Sequence, residues 1–215
     1  MDQLESLKKE WQSQEQEFPK LTYKDIYPML LKKSSSIVKW IVVISICEIS
    51  FWTLLSFFIP ESSKQFYNEM GMQTTFLIIN IFNYAVVLMF IYLFWRNYKK
   101  IQVTNSIKTL MGNILRTRKT VHYFVYYNIG MAAILMIGMN LYYYFNKETL
   151  STILKSTILK NDDNFGAIPA ETFIGVNIIA GIILIVLLIL FYWVIYGLLL
   201  RRLKRNYKEL KKIEE

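Results

Sequence analysis

The sequence predicts an all-α polytopic membrane protein, a four-transmembrane-helix bundle preceded by a cytoplasmic, amphipathic N-terminal arm. Three observations predict it. Four apolar runs, at residues 37–59, 74–95, 121–145 and 172–200, each reach the roughly 20 residues that carry a helix across about 30 Å of hydrocarbon. The last three contain no Asp, Glu, Lys or Arg, so they lack the polar face that recurs every three or four residues on a soluble helix. Basic residues lie almost entirely on one side of the runs. Six precede the first run, seven fill the segment from Arg96 to Thr120 and seven follow Leu200, against one and three in the two remaining loops. By the positive-inside rule, both termini and the middle loop are cytoplasmic.

Taken in order, residues 1–36 form the arm. Asp2 to Gln16 read as a short helix with Leu4, Leu7 and Trp11 on one face, broken by Phe18-Pro19. Its apolar stripe is narrow and its charge nearly balanced, which is poor for anionic lipid and leaves a cytoplasmic protein partner as an equal reading. Thr22 and Asp25 offer a capping signature, and Pro28 suits the first turn of a second helix running into the membrane. The polar leading residues show no signal-peptide pattern. The first span then carries Lys39 near one end and Glu48 in the middle.

Between the second and third spans, Val103, Ile107, Leu110, Met111, Ile114 and Leu115 recur at helical spacing, with Thr104, Asn105 or Ser106 as the cap. The third span is expected to begin as this cytoplasmic helix, with Lys108, Arg116, Arg118 and Lys119 placed near lipid headgroups. The outer loop 146–171 is expected to hold a brief interfacial helix (Leu150, Ile153, Leu154, Thr157, Ile158), and residues 201–215 a basic cytoplasmic tail. A faint repeat links the halves. Thr75-Phe76 and Asn80 are matched by Thr172-Phe173 and Asn177, and Arg-Asn-Tyr-Lys recurs at Arg96 and Arg205.

Chemistry is sparse. The lone Cys47 lies inside a span and the lone His122 at a span's mouth, so no disulfide framework, metal set or cofactor is expected. No phosphate-cradling loop and no nucleophile–base set points to an enzyme. The net charge of +9 reports topology and needs no direct nucleic-acid partner. Glu48 is the anomaly, because a carboxylate at mid-membrane must face the bundle interior. Asn83 and Tyr84 lie at its depth, Ser45 one turn back, Asn80 and Asn140 further out, and Asn128 toward the cytoplasm. Two readings stand: helix–helix glue with Asn83 as the partner of Glu48, or a transported-ion or ligand site in the Glu48/Asn83 layer.

The residues Leu7-Lys8-Lys9-Glu10-Trp11, Phe18-Pro19-Lys20-Leu21, Ile26-Tyr27, Leu30 to Lys39, Asn113 to Val121 and Asp163 to Ala170 resemble a family of uncharacterised four-span bacterial inner-membrane proteins. Members are sometimes labelled carotene-cleaving monooxygenases, which implies iron on four histidines of a β-propeller. With one histidine, this chain does not fit that label. Members are also suspected of acting with extracytoplasmic-function sigma factors, which implies a membrane-bound, anti-sigma-like regulator, although the histidine–cysteine zinc signature of the familiar anti-sigma domain is absent. The expectation is therefore a non-enzymatic inner-membrane protein, in contact with lipid and open to homo-oligomerisation, that binds a cytoplasmic partner through its arm and basic loop. The alternative is a small transporter or ion-conducting subunit using the Glu48/Asn83 layer.

Overall fold

The computed structural model describes residue 5 and residues 23–104, 106–159 and 169–214. Leu4, Leu7 and Trp11 of the arm lie outside the described residues. Within residues 23–214, the described residues form six helices, α1 (Tyr23–Phe57), α2 (Glu61–Glu69), α3 (Gln73–Gln102), α4 (Ile107–Phe145), α5 (Lys147–Leu159) and α6 (Ala170–Glu214), and no strand. Four of them, α1, α3, α4 and α6, are long and apolar enough to cross a membrane. They form a ring in which α1 packs on α3, α3 on α4, α4 on α6 and α6 back on α1. Each neighbour runs antiparallel to the next, because successive spans alternate in direction and the ring follows chain order.

Cations stacked on aromatic rings mark two edges of the apolar band. At the basic end Lys99 lies 3.9 Å from the Trp95 ring centre, Lys119 5.7 Å from Tyr123, and Arg201 5.5 Å from Trp193. At the far end Lys147 lies 4.4 Å from Tyr144. Along α4, Tyr123 and Tyr144 are separated by about 30 Å of helix, the thickness of a hydrocarbon core. Between these edges the outward side chains are apolar, as Ile78, Ile81, Ile134, Ile179 and Leu187 illustrate, and they form a lipid-contacting surface.

The bundle continues past the basic edge. Leu30, Ile101, Ile107, Leu110, Ile114, Leu203 and Leu210 are all buried there. Residues 201–214 are thus not a separate tail but the end of α6, whose Leu203, Asn206 and Leu210 recur at helical spacing and face the other helices. Of the apolar stripe of the middle segment, Ile107, Leu110 and Ile114 pack inside the bundle and Met111 is half-buried, while Val103 and Leu115 are exposed. Ser106 caps α4, its Oγ accepting from the Thr109 N–H at 3.3 Å, so the third of the three candidate caps is the one used. Pro28 sits inside α1 rather than in its first turn, since the helix is already formed at Tyr23.

The far end is roofed by short helices. The outer-loop helix appears as α5, while α2 was not anticipated, although Pro60-Glu61 is a helix-start signal and Glu61 pairs with Lys64 at 2.7 Å. Gly71, at φ 70°, turns the chain from α2 into α3 in a conformation that glycine adopts without steric cost. Tyr142 pins that turn by donating to the Met70 carbonyl at 2.7 Å. Phe66, Tyr143 and Phe173 pack their rings together at centre distances of 5.6 to 6.1 Å, over Met70, Met72, Leu150, Ile153, Leu154 and Ile174.

Candidate functional site: a polar cavity in the apolar band

Glu48 is eight residues from Trp40 and nine from Phe57 on α1. That places it about 12 to 14 Å along α1 from each of these exposed rings, in the middle of the span. Its partners lie on α6. The Tyr192 hydroxyl donates to Oε1 and the Tyr196 hydroxyl to Oε2, the latter at 3.4 Å. Tyr196 also meets Ser45 Oγ at 3.1 Å, and Ser45 donates back to the Ile41 carbonyl at 2.9 Å. Four side chains thus join α1 to α6 at mid-depth. Both tyrosines are buried, at 3 and 1 % exposure, in a region where an unpaired hydroxyl is costly.

The glue expected between Glu48 and Asn83 is therefore corrected in its partner. Asn83 Oδ1 instead accepts from Tyr127 at 3.0 Å, joining α3 to α4, and Tyr84 meets Thr53 at 3.2 Å, joining α3 to α1. The rotation of each helix about its own axis, and not depth alone, decides which side chains meet.

On the far side of this tie the bundle opens into a cavity of about 750 Å³. Glu48 and Tyr192 stand at its base. Asn80, Asn83, Asn128, Asn140 and Asn177 line it, with Tyr67, Tyr84 and Tyr143, and with Met131, Met136, Met139, Leu184 and Leu188. The amide orientations follow from their partners. Asn128, Asn140 and Asn177 each donate Nδ2–H to the carbonyl four residues earlier on their own helix, at 2.8, 2.8 and 3.0 Å. A carbonyl only accepts, so the amide nitrogen is fixed toward the helix and the Oδ1 is turned away. Asn140 Oδ1 is buried without a partner. The wall is consequently rich in unspent acceptors. Gly181 lets α6 approach α4 closely here, since a Cβ in its place would lie 2.6 Å from Met136 Sδ.

Below the base the bundle is closed. Phe124 packs against Phe90, Phe94, Tyr192 and Tyr196 at ring-centre distances of 5.4 to 6.3 Å, with Val38 and Ile41 fully buried beside them. Nearer the basic end, buried Asn97 donates to Thr120 Oγ1 at 3.3 Å and buried Asn206 to Ser34 Oγ at 3.2 Å. These are the asparagines of the repeated Arg-Asn-Tyr-Lys, each bridging to the next helix in the ring. The repeat is out of step with its other half, because Thr75 precedes Arg96 by 21 residues and Thr172 precedes Arg205 by 33.

Of the remaining expected residues, Ser45 falls in the Glu48 cluster and Asn80 in the cavity wall, while Lys119, Arg118 and Arg116 lie about one to two turns of α4 beyond Tyr123 at the basic edge. Lys108 is farther out, about 22 Å along α4 from Tyr123. His122 is exposed and stacks on Tyr126. Among the described residues no three His, Cys, Asp or Glu side chains converge as metal donors. Tyr192 and Tyr196 were missed, although two tyrosines four apart, the only tyrosines of the span 172–200, were a readable signal.

The profile of a family described as a domain of unknown function, DUF8845, matches residues 24–215. The chain belongs to this family. The DUF8845 match takes in every cavity residue and leaves Leu4, Leu7 and Trp11 outside it. No curated protein and no solved structure matches the chain.

Proposed function

We propose that this protein binds a small ligand inside the membrane, in the manner of a transporter or a ligand sensor, with Glu48 as the anchor of the site. One observation carries the reading: a mid-band carboxyl, held by Tyr192 and Tyr196, faces a cavity of a volume typical of ligand sites and lined by amide oxygens without donors. Glue alone needs no cavity. The acceptor-rich wall selects a ligand that donates hydrogen bonds or carries positive charge. The test is mass spectrometry of compounds released on denaturing protein purified in mild detergent. Wild type is expected to release a donor-rich or basic compound near one equivalent, and Glu48→Gln, which removes the charge of the anchor, to release little. Wild-type protein that is consistently empty would count against the reading.

The lysine and arginine distribution supports cytoplasmic termini, and the family resemblance a bacterial inner membrane. In a Cys47→Ser background, a cysteine at Ser63 should react with a membrane-impermeant thiol reagent in intact cells and one at Ser106 should not. The opposite pattern would reverse the orientation.

A second proposal, the anti-sigma-like regulator, is favoured by the packed helical stalk that projects past the basic edge by about 24 Å, from Tyr123 to Ile107. Such a stalk offers a rigid platform on which the arm, through Leu4, Leu7 and Trp11, captures a cytoplasmic protein. Deleting residues 1–17 should then release that protein without disturbing insertion. Unchanged capture would remove the arm from the account.

A further inference from the structure

The cavity is closed along the bundle axis at both ends, by the Phe124 ring cluster below and by the Phe66–Tyr143–Phe173 roof above. Its side wall is not equally closed. Among the described residues, every hydrogen bond between α1 and α6 lies at Glu48 or nearer the basic end: Asn206 to Ser34, Tyr196 to Ser45, and both tyrosines to Glu48. Beyond Glu48 none ties these two helices. There the cavity-lining Trp52 and Ser56 of α1 and Ala180 and Leu184 of α6 are exposed, Trp52 by 42 % and Leu184 by 48 %. The other ring neighbours are held on the far side as well. Thr53 meets Tyr84 between α1 and α3, and Gly181 lies against Met136 between α6 and α4. The gap between α1 and α6 therefore faces the lipid-contacting surface.

The lining is two-sided in chemistry. Glu48 and the free amide oxygens occupy one part, while Met131, Met136, Met139 and Leu188 supply pliant apolar contact. Resting on the cavity reading above, we propose that the site is loaded from within the bilayer through the α1–α6 gap, and that its ligand is an amphiphile with an apolar tail and a protonated amine head. The head is drawn to Glu48 and the asparagine oxygens, where it replaces water with charge-assisted hydrogen bonds. The tail lies on the methionines and leads out toward lipid. A wholly water-soluble cation has no matching path, since both axial ends are packed.

The test uses full-length protein in phosphatidylcholine nanodiscs, with Trp11, Trp40, Trp95 and Trp193 replaced by Phe so that Trp52 reports alone. The probe is dodecylamine brominated at its tail, a contact quencher of tryptophan. Saturable quenching is expected above the linear background given by equally brominated dodecanoic acid, and unbrominated dodecylamine should reverse it. Glu48→Gln should weaken the saturable part by about tenfold or more, the loss of one charge-assisted contact. Ser56→Phe with Leu184→Phe, both at exposed positions, should slow its onset. Propylamine, with the same head and no tail, should neither compete nor raise the thermal midpoint. If propylamine stabilises the protein and displaces the probe, the cavity reading survives and the bilayer route falls. If amine and acid quench alike and neither amine stabilises the protein, both readings fall.

Discussion

The two halves of this bundle solve opposite problems with the same four helices. On the basic side of Glu48, rings and branched aliphatics interlock until Val38, Ile41, Phe94 and Leu110 have no measurable exposure. On the far side the same helices carry five asparagines and three methionines around about 750 Å³ of open space. Lipid offers little hydrophobic drive for helix association, so close packing and a few polar ties must hold the bundle. Among the described residues, the basic half carries every hydrogen bond found between α1 and α6 and the tightest ring packing, which leaves the other half free to keep polar groups unsatisfied. The difference teaches where stability and ligand chemistry are separately encoded.

Substitutions should divide along that line. The largest effect is expected from Phe124→Ala, which empties the ring cluster beneath the cavity. A loss of about 3 to 5 kcal/mol should appear in reversible unfolding in bicelles. A loss below about 1 kcal/mol would show that the basic half is not the stable one. Next, Glu48→Leu strands the Tyr192 and Tyr196 hydroxyls at the boundary of the halves and should cost about 1 to 2 kcal/mol in the same assay, while Glu48→Gln stays close to wild type. An equal cost for both would mean that charge, and not hydrogen bonding, joins α1 to α6. Asn206→Ala removes the tie to Ser34 and should cost about 0.6 to 1 kcal/mol, a size that double-variant analysis with Ser34→Ala can isolate. Smallest of all, Asn140→Leu removes a buried, partnerless oxygen from the hollow half. Its expected effect is within about 0.5 kcal/mol of zero. A large destabilisation there would erase the contrast between the halves.

Much of the architecture was legible before the structure. Apolar length placed the four long helices, hydroxyl chemistry placed a cap within three residues of Ser106, and periodicity placed α5. The end of α6 was misread because Arg201, Arg202 and Lys204 dominate its composition, while the buried Leu203, Asn206 and Leu210 are only three of its residues. The site was half legible. Depth along a helix follows from counting at a fixed rise per residue, which puts Glu48 near the middle of its span and Ser45 about one turn away from it. Which neighbour each one meets depends on ring order and axial rotation, and four antiparallel helices admit several arrangements of each. Tyr192 and Tyr196 follow only once α6 is known to close the ring against α1.

The Ser45–Tyr196–Glu48 chain has a further consequence, which comes from counting hydrogens. Ser45 gives its single hydrogen to the Ile41 carbonyl, so any hydrogen between Ser45 and Tyr196 is the tyrosine's. Tyr196 has one hydrogen and two acceptors in reach, Ser45 Oγ at 3.1 Å and Glu48 Oε2 at 3.4 Å. It serves one of them at a time. Turning the hydroxyl from one to the other needs no helix to move, so two hydrogen-bond patterns share a single backbone. The tie between α1 and α6 thus keeps its shape while its hydrogens rearrange.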